Sequence, residues 1–263
     1  MDDQAVSSLA EDWRHAGIQN GDVVLIHSSL RRTVRRCVQG GMSGTVDDVL
    51  ASFREAVGDA GTLLFPLFNF QFTEGVAFDI RTSPSQMGVL TETARQLHGA
   101  VRTGHPIYSF AVIGARSGEF AGIDNYSGYG ADSPFAKLRA VGGRIAILDL
   151  PDQHSMTFYH HVEEMKNVPY RFHKSFAGDY TDSSGVTSRR EYGLFVRDLE
   201  KGVKTDVDPM GELLWKQSLY SGDRPGEGTG LRVIDADPLF LSVERVIDDG
   251  KAEGLLYSID HAG

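Results

Sequence analysis

Over roughly the first two thirds of the chain, short solid apolar runs alternate with stretches in which apolar residues recur every three or four positions. Residues 5–16 carry the helical rhythm and stop at Gly17, and Asp22-Val-Val-Leu-Ile-His27 is a run of the buried-strand type. Gly40-Gly-Met-Ser-Gly44 leads to Thr45, whose hydroxyl suits the N-cap of a helix over 46–57. Gly61-Thr-Leu-Leu-Phe-Pro66 predicts a second strand, and Ser83-Pro84 reads as N-cap and first residue of a helix reaching about His98. Ile107 to Ile113 and Arg144 to Leu148 predict two more strands, with Ser133-Pro134 opening a short helix between them and a further helix over about 155–167.

This alternation predicts an α/β layered fold. After Pro169 the texture changes. Residues 171–182 and 186–198, parted by Ser183-Ser-Gly185, predict an antiparallel hairpin. A helix near 209–220, a Gly- and Pro-rich loop over 221–230, a strand at 231–235 and a helix begun by Pro238 complete the pattern. One domain over 1–263 is expected, with a core over about 1–170 and a hairpin lobe with C-terminal elements over 171–263. The lobe is placed either to wall an acceptor or to contact a second subunit, so a homodimer stays open.

Composition narrows the chemistry. A formal net charge of -10 argues against a general nucleic-acid binder. No run of about 18 apolar residues is present, so no membrane-spanning helix is expected. The acidic, polar start MDDQAVSSLAEDW lacks the character of a secretory signal. With Cys37 the lone cysteine, a reducing, cytoplasmic setting is expected.

The segment Met156-Thr-Phe-Tyr-His160-His161-Val-Glu163-Glu164-Met-Lys-Asn167 holds the best candidates for chemistry. Phe158, Val162 and Met165 share one helical face, and His160 lies roughly 200° away from Phe158. Glu163 and Glu164 fall three and four residues beyond His160, within side-chain reach. A carboxylate there can take one imidazole proton and leave the other nitrogen as a base, while its charge raises the histidine pKa. An ordinary solvated helix face fits the same spacing. His154, His160, His161 and the two glutamates also admit a metal-dependent hydrolase, although the spacing matches no usual zinc pattern.

A second region could hold an anion. His27-Ser-Ser-Leu30 sits where a strand ends, and the glycine-rich segment then enters a helix N-terminus, whose free N–H groups attract negative charge. Arg31, Arg32, Arg35 and Arg36 follow directly and could meet phosphate. Turn chemistry and a solvated charged loop explain the same residues.

In order, His27-Ser-Ser-Leu-Arg31, Gly40-Gly41 to Thr45-Val46, Gly58-Asp-Ala-Gly-Thr-Leu-Leu-Phe-Pro66 and Phe78-Asp-Ile-Arg-Thr-Ser-Pro84 with Met87-Gly88 form a series. His105-Pro106 with Ser109, Asp132-Ser-Pro134 with Leu138, and Thr157-Phe-Tyr-His160-His-Val-Glu163 continue it. Over roughly residues 20–170 this series resembles the aminoglycoside 3-N-acetyltransferase family. The resemblance implies an αβα-layered fold and acetyl-CoA-dependent N-acylation, with acetyl-CoA or another acyl-CoA as donor. It places the family's T-x-x-H-x-x-E histidine and glutamate on His160 and Glu163. His27, Ser28, Ser29, Leu30, Arg31, Thr45 and Ser109 are then expected along the coenzyme A channel, and Asn69, Tyr129, Asp132 and Glu164 at the acceptor.

The chain also departs from the pattern. Leu148-Asp-Leu-Pro-Asp-Gln-His154 replaces a glycine-rich segment with His-Asp, Tyr108 replaces a second histidine after His-Pro, and the Ser127-Gly-Tyr-Gly130 loop and the doubled histidine differ. These changes leave the acceptor open between an aminoglycoside and a nucleotide-linked amino sugar. A non-catalytic binder of coenzyme A or a sugar is the remaining alternative.

Overall fold

A computed structural model describes residues 1–260, so the last three residues of the expected 1–263 domain lie outside the described part. Helix α1 (Asp3–Ala16) precedes β1 (Val23–Ser28), and α2 (Arg31–Gln39) and α3 (Val46–Val57) lead to β2 (Thr62–Pro66). Then come β3 (Phe78–Asp79), α4 (Val89–Gln96), β4 (Val101–Arg102), β5 (Phe110–Gly114), α5 (Pro134–Ala140), β6 (Arg144–Leu148) and α6 (Phe158–Met165). The C-terminal third holds β7 (Arg171–Thr181), β8 (Thr187–Arg197), β9 (Val203–Thr205), α7 (Asp208–Lys216), β10 (Ser221–Gly222), β11 (Leu231–Asp235), α8 (Ala236–Asp248) and β12 (Tyr257–Ile259).

Seven strands form the main sheet in the order β10-β11-β6-β1-β2-β5-β4. Its centre, β6-β1-β2, is parallel, and the flanking strands pair antiparallel. Side chains alternate across the sheet as the pleat requires. Val24 and Ile26 face one cluster with Trp13, Phe53 and Leu90 from α1, α3 and α4, whereas Val23 and Leu25 face the other with Phe135, Phe158 and Val243 from α5, α6 and α8. Helices therefore cover both faces, which is the expected αβα layering. Trp13 stacks on Phe53 with ring centroids 4.9 Å apart, and its indole N–H donates to Ser52 Oγ at 2.8 Å.

The hairpin forms as read, with β7 and β8 in register from Arg171–Arg197 to Thr181–Thr187, and β3 adds a third strand. Its Tyr180, Tyr192, Leu194 and Phe195 are buried in the same cluster as α5, α6 and α8, so the lobe shares the main core.

Four local readings are corrected. The arginine run is helix α2 rather than a loop, with Thr33 and Cys37 turned inward. The helix expected from Ser83-Pro84 begins only at Val89, because the Ser83 hydroxyl instead closes a turn by accepting from the Asp79 N–H at 2.9 Å. β5 begins at Phe110 because residues 105–108 curl around the His105 ring. The last helix starts at Ala236, ahead of Pro238. Thr45 is the N-cap as expected, in a reciprocal capping box with Asp48. Gly44 must be glycine there, since its φ is 56° and a Cβ would stand 2.4 Å from Cys37 Cβ.

Candidate active site

The carboxyl ends of β1, β2 and β6 and the start of β5 share one edge of the sheet, and the N-terminal half of α6 lies at that edge. His160 projects from α6 into a cavity of about 990 Å³. Phe70, Tyr108 and Tyr129 line one side, and residues of β7, β8 and the following turn line the other. The hairpin thus supplies a wall.

His160 Nδ1 lies 2.7 Å from Glu163 Oε2, so Nε2 is the ring nitrogen left to face the cavity. Glu163 is fully buried, and the same Oε2 stands 2.8 Å from Arg171 Nε. The carboxyl of Glu163 stays below its ordinary range even though burial opposes ionisation, because Arg171 and then His160 favour the charged form. The histidine departs from the sequence reading in sign. Its pKa is lowered, with burial first, Arg171 second, and Glu163 only partly opposing them. Sequence spacing shows the carboxylate; burial and the guanidinium come from the fold. A ring neutral at pH 7 is the form that can accept a proton.

Nor is α6 a solvated helix. Phe158, Tyr159, His161, Val162 and Glu163 are all buried, while Met165, expected on the core face, is partly exposed. His161 Nδ1 donates to the Tyr129 carbonyl at 2.7 Å, and Glu164 Oε2 accepts from Ser127 Oγ at 2.7 Å. Both residues pin the 125–133 loop that brings the Tyr129 ring to 5.3 Å from His160. The altered segment before α6 has a structural purpose as well. Buried Asp152 accepts from Tyr159 and Tyr220 at 2.5 and 2.8 Å and pairs with Arg232 at 2.7 Å.

Among the expected coenzyme A residues, His27 is buried, and burial with Arg232 nearby lowers its pKa to about 3. Ser28 and Ser29 are half-buried at the end of β1, and the Ser29 N–H donates to the Leu148 carbonyl at 2.8 Å. Leu30 opens α2. Arg32 and Arg36 are spent on the 228–229 carbonyls and on Asp149 and Asp12. Arg31 and Arg35 instead border a hollow of about 510 Å³ with Ser29. The Thr45 hydroxyl is committed to Asp48, at 2.7 Å, and Ser109 is fully buried, accepting from Arg102 Nε at 3.1 Å. Burial pushes the Cys37 thiol up, so it is no ready thiolate.

Of the expected acceptor residues, Tyr129 lines the His160 cavity, whereas Asp132 is exposed outside its lining and Glu164 points to Ser127. Asn69 is buried, with its amide spent on the Pro84 carbonyl and the Gln71 N–H. Sequence reasoning missed Phe70, Arg171, Phe172, Lys174 and Arg197 on the cavity walls. For Phe172 and Lys174 the signal was the alternation within the hairpin, Arg171-Phe-His-Lys-Ser-Phe176, which fixes shared faces but not what they face. Among the described residues, no group of three or more His, Cys, Asp or Glu side chains could hold a metal ion, so the hydrolase alternative has no centre to rest on. No helix among the described residues is long and apolar enough to cross a membrane.

A family model described as aminoglycoside 3-N-acetyltransferase matches residues 25–246. Aminoglycoside N(3)-acetyltransferase VII of Streptomyces paromomycinus is 30% identical over 181 residues, 61% of this chain and 60% of that protein. The match thus spans about three fifths of the relative's length. Solved structures agree over more of the chain. AAC-IIIb in a binary complex with CoASH superposes with a TM-score of 0.80 at 23% identity, covering 93% of this chain and 96% of that one. AAC-VIa bound to sisomicin gives a TM-score of 0.78 at 20% identity, covering 94% and 98%.

Proposed function

The chain belongs to the aminoglycoside 3-N-acetyltransferase family, and on that premise we propose that it transfers an acetyl group from acetyl-CoA to an amine of an amino sugar, with His160 as general base. The observation that carries this reading is the pairing of half-buried His160 with fully buried Glu163 at a 990 Å³ cavity. Acetyl-CoA supplies an activated acyl carbon. The chain's part is to hold the acceptor amine at His160 Nε2, take its proton as the N–C bond forms, and return that proton to the departing sulfur as the C–S bond breaks. Glu163 keeps Nδ1 occupied, which fixes both tautomer and ring orientation. A positioned base contributes about 10²–10⁴-fold.

The test is thiol release by the full chain with acetyl-CoA and a panel of amines. His160→Ala should lower kcat by about 10²–10⁴-fold while leaving acetyl-CoA binding in place. Near-normal turnover in that variant removes His160 as the base. A panel without turnover supports the binder instead.

The walls favour one acceptor class. Lys174 and Arg197 line the cavity, and among the described residues neither pairs with a carboxylate. Of the lining carboxylates, Asp198 is tied to Lys201 at 2.8 Å, and only Glu200 remains. Phe70 and Phe172 present apolar faces, 40% and 47% exposed. A polycationic antibiotic needs several carboxylates; a phosphate and a base suit two cations among aromatic rings. This supports a nucleotide-linked amino sugar over an aminoglycoside. Higher kcat/KM for sisomicin than for a UDP-linked amino sugar would reverse the choice.

A further inference from the structure

Arg171 has no part in the proton transfer just described, yet it is the residue on which the dyad rests. It opens β7, is only 9% exposed, and is held from two sides. Its Nη1 donates to the Phe195 carbonyl at 3.1 Å and its Nη2 to Thr205 Oγ1 at 3.5 Å. That grip fixes the guanidinium so that Nε stands 2.8 Å from Glu163 Oε2, the same oxygen that meets His160 Nδ1 at 2.7 Å. One carboxylate oxygen is thus shared between a ring nitrogen and a permanent cation.

The sharing has a chemical consequence. A buried carboxylate with no partner but a histidine draws a proton onto the ring, and an imidazolium cannot act as a base. A fixed cation beside the same oxygen offsets the carboxylate's charge first. We propose that Arg171 is a positioning residue that neutralises Glu163 at the oxygen it shares with His160, so that the carboxylate aims the His160 ring while the ring stays free to accept a proton at Nε2.

The surroundings leave little else to counter this charge balance. Facing the His160 ring and its carboxylate partner Glu163 are Arg171 from β7, Arg197 from β8, Tyr129 from the 125–133 loop and Tyr170 from the turn after α6. Tyr108, Lys174, Asp198 and Glu200 line the same cavity. Tyr170 and Tyr129 are pushed up by burial and then by neighbouring groups that include Glu163, so both stay uncharged near neutrality. Two guanidiniums thus oppose one carboxylate, and the lowered pKa of His160 agrees in direction.

The inference rests on His160 being the base, and its test separates the two claims. The His160 Cε1–H NMR resonance, assigned by its loss in His160→Asn, is titrated in the full-length chain, and kcat/KM is followed over the same pH range. The wild-type midpoint should lie below the ordinary value of about 6.5. In Arg171→Gln it should rise by about one pH unit or more, a tenfold gain in proton affinity. The acid limb of kcat/KM should move with it, and activity should recover as pH rises. Arg171→Lys should restore most of the midpoint.

A midpoint unmoved in Arg171→Gln, or activity depressed by the same factor at every pH, overturns the proposal. Should Arg171→Gln fail to fold, the wild-type midpoint and Arg171→Lys decide: a wild-type midpoint above 6.5 overturns it, and one below with the lysine variant close to it supports it. A midpoint that moves while the kcat/KM limb stays put upholds the role of Arg171 and removes His160 as the base.

Discussion

Acidification should unfold this protein through two buried histidines other than His160. His27 and His105 are buried, with pKa values lowered to about 3 and about 4, in each case chiefly by burial. The geometry at His105 shows the reason. Its Nδ1 accepts from the backbone N–H groups of Ile107 and Tyr108 at 3.2 and 3.0 Å, and a proton there would displace both. An unfolded histidine titrates near 6.5, so below that pH the unfolded chain binds protons that the native state refuses. The stability these rings contribute is complete above about pH 6.5 and drains away as pH falls towards 4 and 3. Between pH 7 and about pH 5 each ring should withdraw about 2 kcal/mol, so together about 4 kcal/mol.

That is a large share of the 5–15 kcal/mol typical of a native protein. Carboxylates held low do not blur the window, since Glu92, kept near 2 chiefly by Arg95, matters only below about pH 4.5. Urea unfolding followed by circular dichroism at constant ionic strength gives the slope. His105→Asn keeps an acceptor for the two N–H groups without the titration, so its loss over the same interval should be about 2 kcal/mol smaller. Stability that holds within about 1 kcal/mol from pH 7 to 5 refutes the argument.

Glu163→Gln should lower kcat less than His160→Ala, because the ring loses orientation but keeps its basic nitrogen; an equal loss would give the carboxylate more than an orienting role. Asp152→Ala leaves Arg232 buried without its charge partner and should cost about 3–5 kcal/mol in urea unfolding. A loss under about 1 kcal/mol would mean the pair is no anchor. Asp48→Ala should destabilise by about 1–3 kcal/mol, since the buried carboxylate accepts from the Asp2 N–H at 2.8 Å, from Ser43 Oγ at 2.6 Å and from Thr45. An unchanged urea midpoint would contradict that role.

The layered core could be read in advance because strands such as Val23–Ser28 need apolar residues on both faces, and solid apolar runs record that directly. Thr45 was legible too, since capping is decided within four residues. Helix α2 was not, because only Thr33 and Cys37 turn inward and its arginines find partners at 149 and 228–229. The candidate site divides along the same line. His160 and Glu163 meet within one helical turn, so spacing sufficed to pair them. Arg171 reaches Glu163 through the turn after α6 and is held by Phe195 and Thr205, so the sign of the histidine shift lay outside any local pattern.

The hairpin's alternation carries one more implication. Phe172, Lys174 and Phe176 line the cavity from every second position of β7, and each is at least partly open to solvent, whereas Arg171 beside them is locked into the dyad. Phe172 and Lys174 are exposed, so exchanging them disturbs little packing, whereas Phe176 rests on the core. The wall across from His160 is therefore free to vary at the first two positions while Arg171 and Glu163 stay in place.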